Sequence, residues 1–135
     1  MRAFIKDIIT QKEASELLPG EQDFKNPIIV SLIEKLENKI GKRTYSPPSY
    51  AVVGQGQNGH DWHTDIGTDG HMSWCNYGIS ILLAKSKEGL FKYKDPDKVY
   101  TQEEHYLGAL VHSSDQWHMV DKSTKGRTAL LMFLA

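Results

Sequence analysis

Thr128-Ala129-Leu130-Leu131-Met132-Phe133-Leu134 is the stretch on which the fold turns, because after its first residue no side chain in it is polar. In extended backbone, successive side chains point to opposite faces, so Ala129, Leu131 and Phe133 line one face and Leu130, Met132 and Leu134 the other. A strand that is apolar on both faces belongs between two layers. The chain is therefore expected to build a sheet covered on both sides, with this strand inside it.

Working back from that strand, short β-branched and aromatic runs predict further strands near Ser49–Val53, Gly78–Leu83, Leu90–Lys94, Tyr106–His112 and His118–Val120. Clusters of Gly, Asn, Asp, Lys and Pro at Gly54–Gly59, Lys85–Gly89, Lys94–Asp97 and Asp121–Gly126 supply the turns between them. Before Tyr45 the pattern is helical. Thr10 followed three residues later by Glu13 has capping-box spacing, Ala14, Leu17 and Leu18 give the helix an apolar face, and Pro19-Gly20 ends it. Ile29, Leu32, Ile33, Leu36 and Ile40 recur at helical spacing in a second, one-sided helix closed by Gly41. Helices first and strands afterwards predict a mainly β protein, an antiparallel sandwich with the N-terminal helices packed on one sheet, rather than alternating β-α units.

The 135 residues suit one domain, 1–135, divided into a helical support over 1–44 and a β core over 45–135. A 39% hydrophobic, 24% charged composition excludes disordered and fibrous classes. With 16 basic against 17 acidic residues, no bulk field favours nucleic acid or an acidic membrane as a partner. Cys75, the single cysteine, excludes an internal disulfide framework and a thiolate-only metal site; a free, structural thiol is expected. Met1 to Ile9 interleaves Arg2, Lys6 and Asp7 with apolar residues and offers no signal or spanning segment, so a soluble, cytoplasmic chain is expected.

The chemical signal begins at Trp62-His63-Thr64-Asp65, after a glycine-rich loop. A spacing of two in extended backbone puts the His63 imidazole and the Asp65 carboxylate on one face, where both can reach one ion. His118, in Trp117-His118-Met119-Val120, offers a third ligand 53 positions beyond Asp65. Two histidines and one carboxylate on one side of an octahedral ion leave the other side open, the ligand set that suits iron(II) and oxygen chemistry. Nine positions after His118, Arg127 opens the apolar last strand. A guanidinium there needs an anion, and its planar fork matches a carboxylate.

In order and spacing these residues resemble the iron(II)- and 2-oxoglutarate-dependent oxygenases, whose motif is His-x-Asp, a distal His about fifty residues on and an Arg or Lys roughly ten residues later. The resemblance runs from Tyr45 to Ala135 and includes Tyr50-Ala51-Val52-Val53-Gly54 and Glu88-Gly89-Leu90-Phe91. It implies a double-stranded β-helix, or jelly roll, with His63, Asp65 and His118 holding iron(II) and Arg127 the distal carboxylate of 2-oxoglutarate. It further implies O2 as oxidant, succinate and carbon dioxide as products, and hydroxylation of a small molecule or peptide side chain, since relatives that halogenate lack the carboxylate that Asp65 provides. Two departures stand out. Many relatives carry Arg-x-Ser on the last strand, whereas Arg127-Thr128-Ala129 has no hydroxyl at that place; Tyr50 is the expected substitute. The glycine pair frequent in mid-domain is Glu88-Gly89 here.

Other histidines compete for the ligand roles. His112 is the main rival of His118, but it sits where relatives usually have an apolar residue, and its fifteen positions to Arg127 exceed the pattern. His60 and His63 have a helical spacing in a region where Gly56 and Gly59 oppose a helix, and His71 and His105 read as surface residues. Trp62, Trp74, Tyr77 and Trp117 flank the constellation either as core fillers or as substrate contacts. Two other functions fit the same residues: a cupin-like metalloenzyme that does not use 2-oxoglutarate, and a non-catalytic module binding metal or an acidic metabolite.

Overall fold

The computed structural model of the chain describes residues 2–41, 49–55, 60–66, 72–84, 90–96, 98–103, 105–120 and 127–135. The turn positions expected at 56–59, 85–89, 97 and 121–126 lie outside the described residues, as does His71. In chain order the elements are β1 (Arg2–Ile5), α1 (Gln11–Glu16), β2 (Gly20–Gln22), α2 (Pro27–Ile40), β3 (Tyr50–Gln55), β4 (His60–His63), β5 (Tyr77–Leu82), β6 (Leu90–Asp95), β7 (Lys98–Glu103), β8 (Ala109–Ser113), β9 (Trp117–Val120) and β10 (Thr128–Leu134).

Local chemistry sets both helices. At α1 the Thr10 hydroxyl accepts from the Glu13 N–H while the Glu13 carboxylate accepts from the Thr10 N–H, which satisfies two donors the helix would otherwise orphan. The Asn26 side chain caps α2 by accepting from the Ile28 N–H, Pro27 presets the first turn, and Gly41 ends the helix in the left-handed region at φ 84°. Leu18, expected on the apolar face of α1, is 74% exposed because that helix stops at Glu16 and the chain turns extended at Leu17.

The strands form two sheets, one of order β1-β8-β5-β10-β3-β2 and one of order β4-β9-β6-β7, and the neighbouring strands in both run antiparallel. As its sequence demands, β10 lies inside the larger sheet, with Leu131 opposite Val52 of β3 on one side and Ser80 of β5 on the other. Leu130, Met132 and Leu134 join Ile79, Ile81 and Val111 against Ile29, Leu32, Ile33 and Leu36 of α2, the main core, so the N-terminal helices do pack on one sheet. Each such Leu or Ile, fully buried, contributes roughly 1.5–3 kcal/mol. The opposite face looks at the smaller sheet, where Phe91, Tyr93 and Val120 meet Leu110 in a second, smaller cluster. Between those two sheets lies the site.

Four strands, β1, β2, β4 and β7, are additional to those expected from the sequence. One expected strand begins later than Tyr106. Leu107 adopts φ 64°, which breaks the extended backbone, and Tyr106 keeps a single bridge to Leu82 while β8 starts at Ala109. No helix among the described residues is long and apolar enough to cross a membrane.

Cys75 is free and buried, and its thiol donates to the Tyr77 carbonyl oxygen at 3.4 Å. Burial, reinforced by the nearby Asp65 charge, pushes the thiol pKa up to about 12. At pH 8 the thiolate fraction is then about 10⁻⁴, against roughly a quarter for an ordinary thiol near 8.5. Labelling with a thiol reagent at pH 8 is expected to be slower by about a thousandfold in the native protein than in denaturant. Equal rates in both would mean that Cys75 is not enclosed.

Candidate metal and acid-binding site

β4 and β9 pair so that His63 and His118 are direct cross-strand partners, which brings their ring centroids to 4.2 Å. The chain leaves β4 after His63, and the Asp65 N–H donates to the Ser114 carbonyl at 3.0 Å, fixing the carboxylate beneath the two rings. One ligand atom from each of His63, Asp65 and His118 lies within 4.8 Å of the others. The three residues the motif nominated thus converge, although Asp65 sits past the strand end rather than on it.

Both imidazoles are oriented by backbone. Nδ1 of His63 lies 2.6 Å from the Asp61 carbonyl oxygen and Nδ1 of His118 lies 2.8 Å from that of Gln116. A carbonyl only accepts, so Nδ1 carries the proton in each ring and Nε2 carries the lone pair a metal requires. Phe91 stacks on His118 at 5.5 Å and 9°, which holds the ring plane. A neutral pair of Nε2 donors and one carboxylate oxygen, at this separation, is a donor set that fits a divalent metal with an open face.

Asp65 is 6% exposed, and its two oxygens are used differently. Oδ1 lies 3.3 Å from His118 Nε2, and Oδ2 accepts from His112 Nε2 at 2.7 Å. Burial alone would raise the Asp65 pKa, but the hydrogen bond from His112 and the proximity of His118 outweigh it and hold the carboxyl well below its usual range. His112 goes the other way from what a nearby carboxylate would produce. Its burial dominates and keeps the ring neutral, below its ordinary pKa. Gly78 makes room for both groups, since a Cβ there would overlap Asp65 Oδ2 and stand 2.5 Å from His112 Nε2.

A cavity of about 110 Å³ adjoins these residues. Its wall includes the four site residues just described, the apolar side chains of Phe91, Val120, Leu131 and Phe133, and two further polar groups, Ser80 and Arg127. Arg127 is 3% exposed, and its Nη2 donates to the Ser80 hydroxyl at 3.1 Å. Ser80 is two residues along β5 from Gly78, roughly 7 Å further into the sheet.

Tyr50 lies on the same inner face of the larger sheet, opposite Phe133, on whose ring its own ring stacks at 4.8 Å. Its hydroxyl meets Met72 Sδ at 3.8 Å, and burial raises its pKa. Among the described residues, the hydroxyl that touches Arg127 is that of Ser80. Sequence reasoning passed over Ser80, although a polar residue in Gly78-Ile79-Ser80-Ile81-Leu82 stands out, and period two puts it on the face opposite Ile79 and Ile81. From the sequence alone, His112 is a rival of His118 for the ligand role. It proves to be a neighbour of Asp65, 4.2 Å from His118 between ring centroids.

Trp62 and Trp117 occupy strand positions next to His63 and His118, and both approach the Lys94 ammonium, at 4.7 and 5.1 Å. Neither belongs to the cavity wall. Trp74 meets Tyr50 edge-on at 6.2 Å, and His105 is an exposed residue whose ring lies 4.8 Å from that of Phe4.

No family model matches the sequence, and no curated protein matches it. The likeness to known proteins lies in the fold. A Pseudomonas putida prolyl-4-hydroxylase superposes with a TM-score of 0.70 at 10% identity, over 98% of this chain and 91% of that one. EvdO2 from Micromonospora carbonacea var. aurantiaca, complexed with 2-oxoglutarate, gives 0.63 at 11% identity, over 99% and 86%. An oxidoreductase of the 2OG-Fe(II) oxygenase family from Burkholderia pseudomallei gives 0.59 at 15% identity, over 83% of this chain and 54% of that one, so the chain spans about half the length of that protein. The class of structure that the His-x-Asp, His and Arg spacing resembled is the class whose fold this chain shares.

Proposed function

We propose that this chain is an iron(II)- and 2-oxoglutarate-dependent oxygenase, a hydroxylase built on a double-stranded β-helix, with 1–135 as one domain and 45–135 as its core. One observation carries the reading: two imidazole Nε2 donors and a carboxylate oxygen meet within 4.8 Å, beside a cavity that also holds the Arg127 guanidinium. His63, Asp65 and His118 would take one face of an octahedral ion and leave three positions open. The metal would supply the activation of O2.

The chain's own residues do the positioning. Arg127, with the Ser80 hydroxyl beside it, is shaped for the far carboxylate of a short diacid, which orients the keto-acid end toward the three ligands. Phe91, Val120, Leu131 and Phe133 keep water from the space between. Tyr50, on Phe133, would sit at the edge of that space as a further contact for 2-oxoglutarate or substrate. In the reaction, 2-oxoglutarate loses carbon dioxide and takes one atom of O2 to become succinate. The other atom enters a C–H bond of the substrate, a small molecule or a peptide side chain, giving an alcohol.

Anaerobically reconstituted protein, given iron(II), 2-oxoglutarate and air, is expected to release succinate slowly even without substrate, and chelation of iron is expected to abolish it. Stabilisation by manganese(II) and 2-oxoglutarate with no succinate under any condition would contradict catalysis and leave a binding module. Metal-dependent oxidation that ignores 2-oxoglutarate would point instead to a cupin-like enzyme.

A further inference from the structure

We infer that His112 is a positioning residue for Asp65: it takes carboxylate oxygen Oδ2 out of play, so that Asp65 meets a metal through Oδ1 alone and three coordination positions stay open. The inference rests on the metal-binding reading above and goes beyond it, because His112 is not one of the ligands that reading names.

The geometry decides the proton's place. An ionised carboxylate only accepts hydrogen bonds, so at 2.7 Å from Oδ2 the His112 Nε2 must carry the hydrogen. On the other side of the ring, Nδ1 lies 3.3 Å from the Tyr93 hydroxyl. Nε2 is thereby committed to Asp65, and Nδ1 faces the Tyr93 hydroxyl. Tyr93, His112 and Asp65 thus form a connected chain behind the site. The ring is held as well, between the space that Gly78 leaves and the edge of Tyr93, whose centroid is 5.6 Å away at 67°.

The consequence follows from what a carboxylate can do with both oxygens available. It can chelate an ion through both and consume a position that a bidentate co-substrate needs, or it can rotate away. A ring nitrogen fixed to Oδ2 opposes both moves, while Oδ1 remains on the side of His118. Partners of this kind behind a metal ligand typically change affinity by 10- to 100-fold when removed.

The test uses cobalt(II) or manganese(II) affinity, read without turnover, in wild type and three variants. His112→Leu keeps much of the volume and removes the donor; its affinity is expected to fall by about 10- to 100-fold. His112→Gln carries an N–H donor out to the place of Nε2 and is expected to return affinity to within about threefold of wild type. His112→Asn has the same amide one methylene shorter and is expected not to. Should the leucine variant fail to fold, the glutamine and asparagine pair still decides, because a filler role would not distinguish them in this order. Wild-type affinity in the leucine variant would overturn the inference, as would equal affinities for glutamine and asparagine. A cobalt(II) spectrum showing a nitrogen ligand lost only in the position-112 variants would also overturn it, since His112 would then be a ligand. Failure of wild type to bind any divalent metal would instead strike the reading beneath.

Discussion

Arg127→Met is expected to weaken 2-oxoglutarate binding by about 30- to 3,000-fold while leaving manganese(II) affinity within about threefold of wild type. The size follows from burial. At 3% exposure, Arg127 presents its charge where water cannot replace it, and truncating one partner of a buried, hydrogen-bonded charge pair costs about 2–5 kcal/mol. Each 1.4 kcal/mol is tenfold in a dissociation constant. The selectivity follows from position, because Arg127 holds Ser80 on β5 whereas the three proposed ligands stand on or just beyond β4 and β9. Methionine preserves length and apolar packing, so the effect is not one of a missing side chain. Anaerobic calorimetric titration of the manganese-loaded proteins with 2-oxoglutarate measures it. A change below threefold would remove Arg127 from the co-substrate site.

Gly78→Ala should act at the other end, through a single methyl group. Its Cβ would collide with Asp65 Oδ2, stand 2.9 Å from Asp65 Cγ and press on His112 Nε2. Gly78 does not adopt a positive φ, so alanine suits its backbone and the conflict is between side chains alone. Either the strand or the carboxylate must move. β5 is pinned on both sides, to β10 through six registered pairs and to β8 through five, so the carboxylate gives way. Overpacking of this sort costs about 1–3 kcal/mol of stability. More telling, Asp65 leaves both His112 and its place beside His118, and manganese(II) affinity is expected to fall by about 100-fold, near what losing one charged ligand would do. Electron paramagnetic resonance titration and a thermal melt measure the two effects together. Unchanged metal affinity with normal stability would mean that Asp65 does not depend on the space at Gly78.

Why the motif was legible while its setting was not can be seen at particular residues. His63, Asp65, His118 and Arg127 are set by order and spacing along the chain, and spacing is what a sequence displays. β10 was equally plain, because six consecutive apolar residues covering both faces admit one kind of environment. β4 was hidden: His60-Asp61-Trp62-His63 has the composition of a loop, and it becomes a strand only because β9 supplies the partner for His63. β1 and β2 are sheet edges of four and three residues, too short for periodicity to register, yet they extend the larger sheet at both ends. β7, Lys98-Val99-Tyr100-Thr101-Gln102-Glu103, is an edge strand with polar residues and an exposed Val99. Ser80, Gly78 and His112 were opaque for a different reason. Their roles are defined across strands, by which residue the register of β5, β8 and β10 brings opposite which, and no single segment contains that information. Spacing finds ligands, whereas pairing finds the residues that aim them.

The most direct measurement is a crystal structure grown without oxygen in the presence of manganese(II) and 2-oxoglutarate. One ion is expected, bound by Nε2 of His63, Oδ1 of Asp65 and Nε2 of His118, with His112 still on Oδ2 and the far carboxylate of 2-oxoglutarate on Arg127 and Ser80. An ion held elsewhere, or a 2-oxoglutarate molecule whose distal carboxylate ignores Arg127, would contradict it.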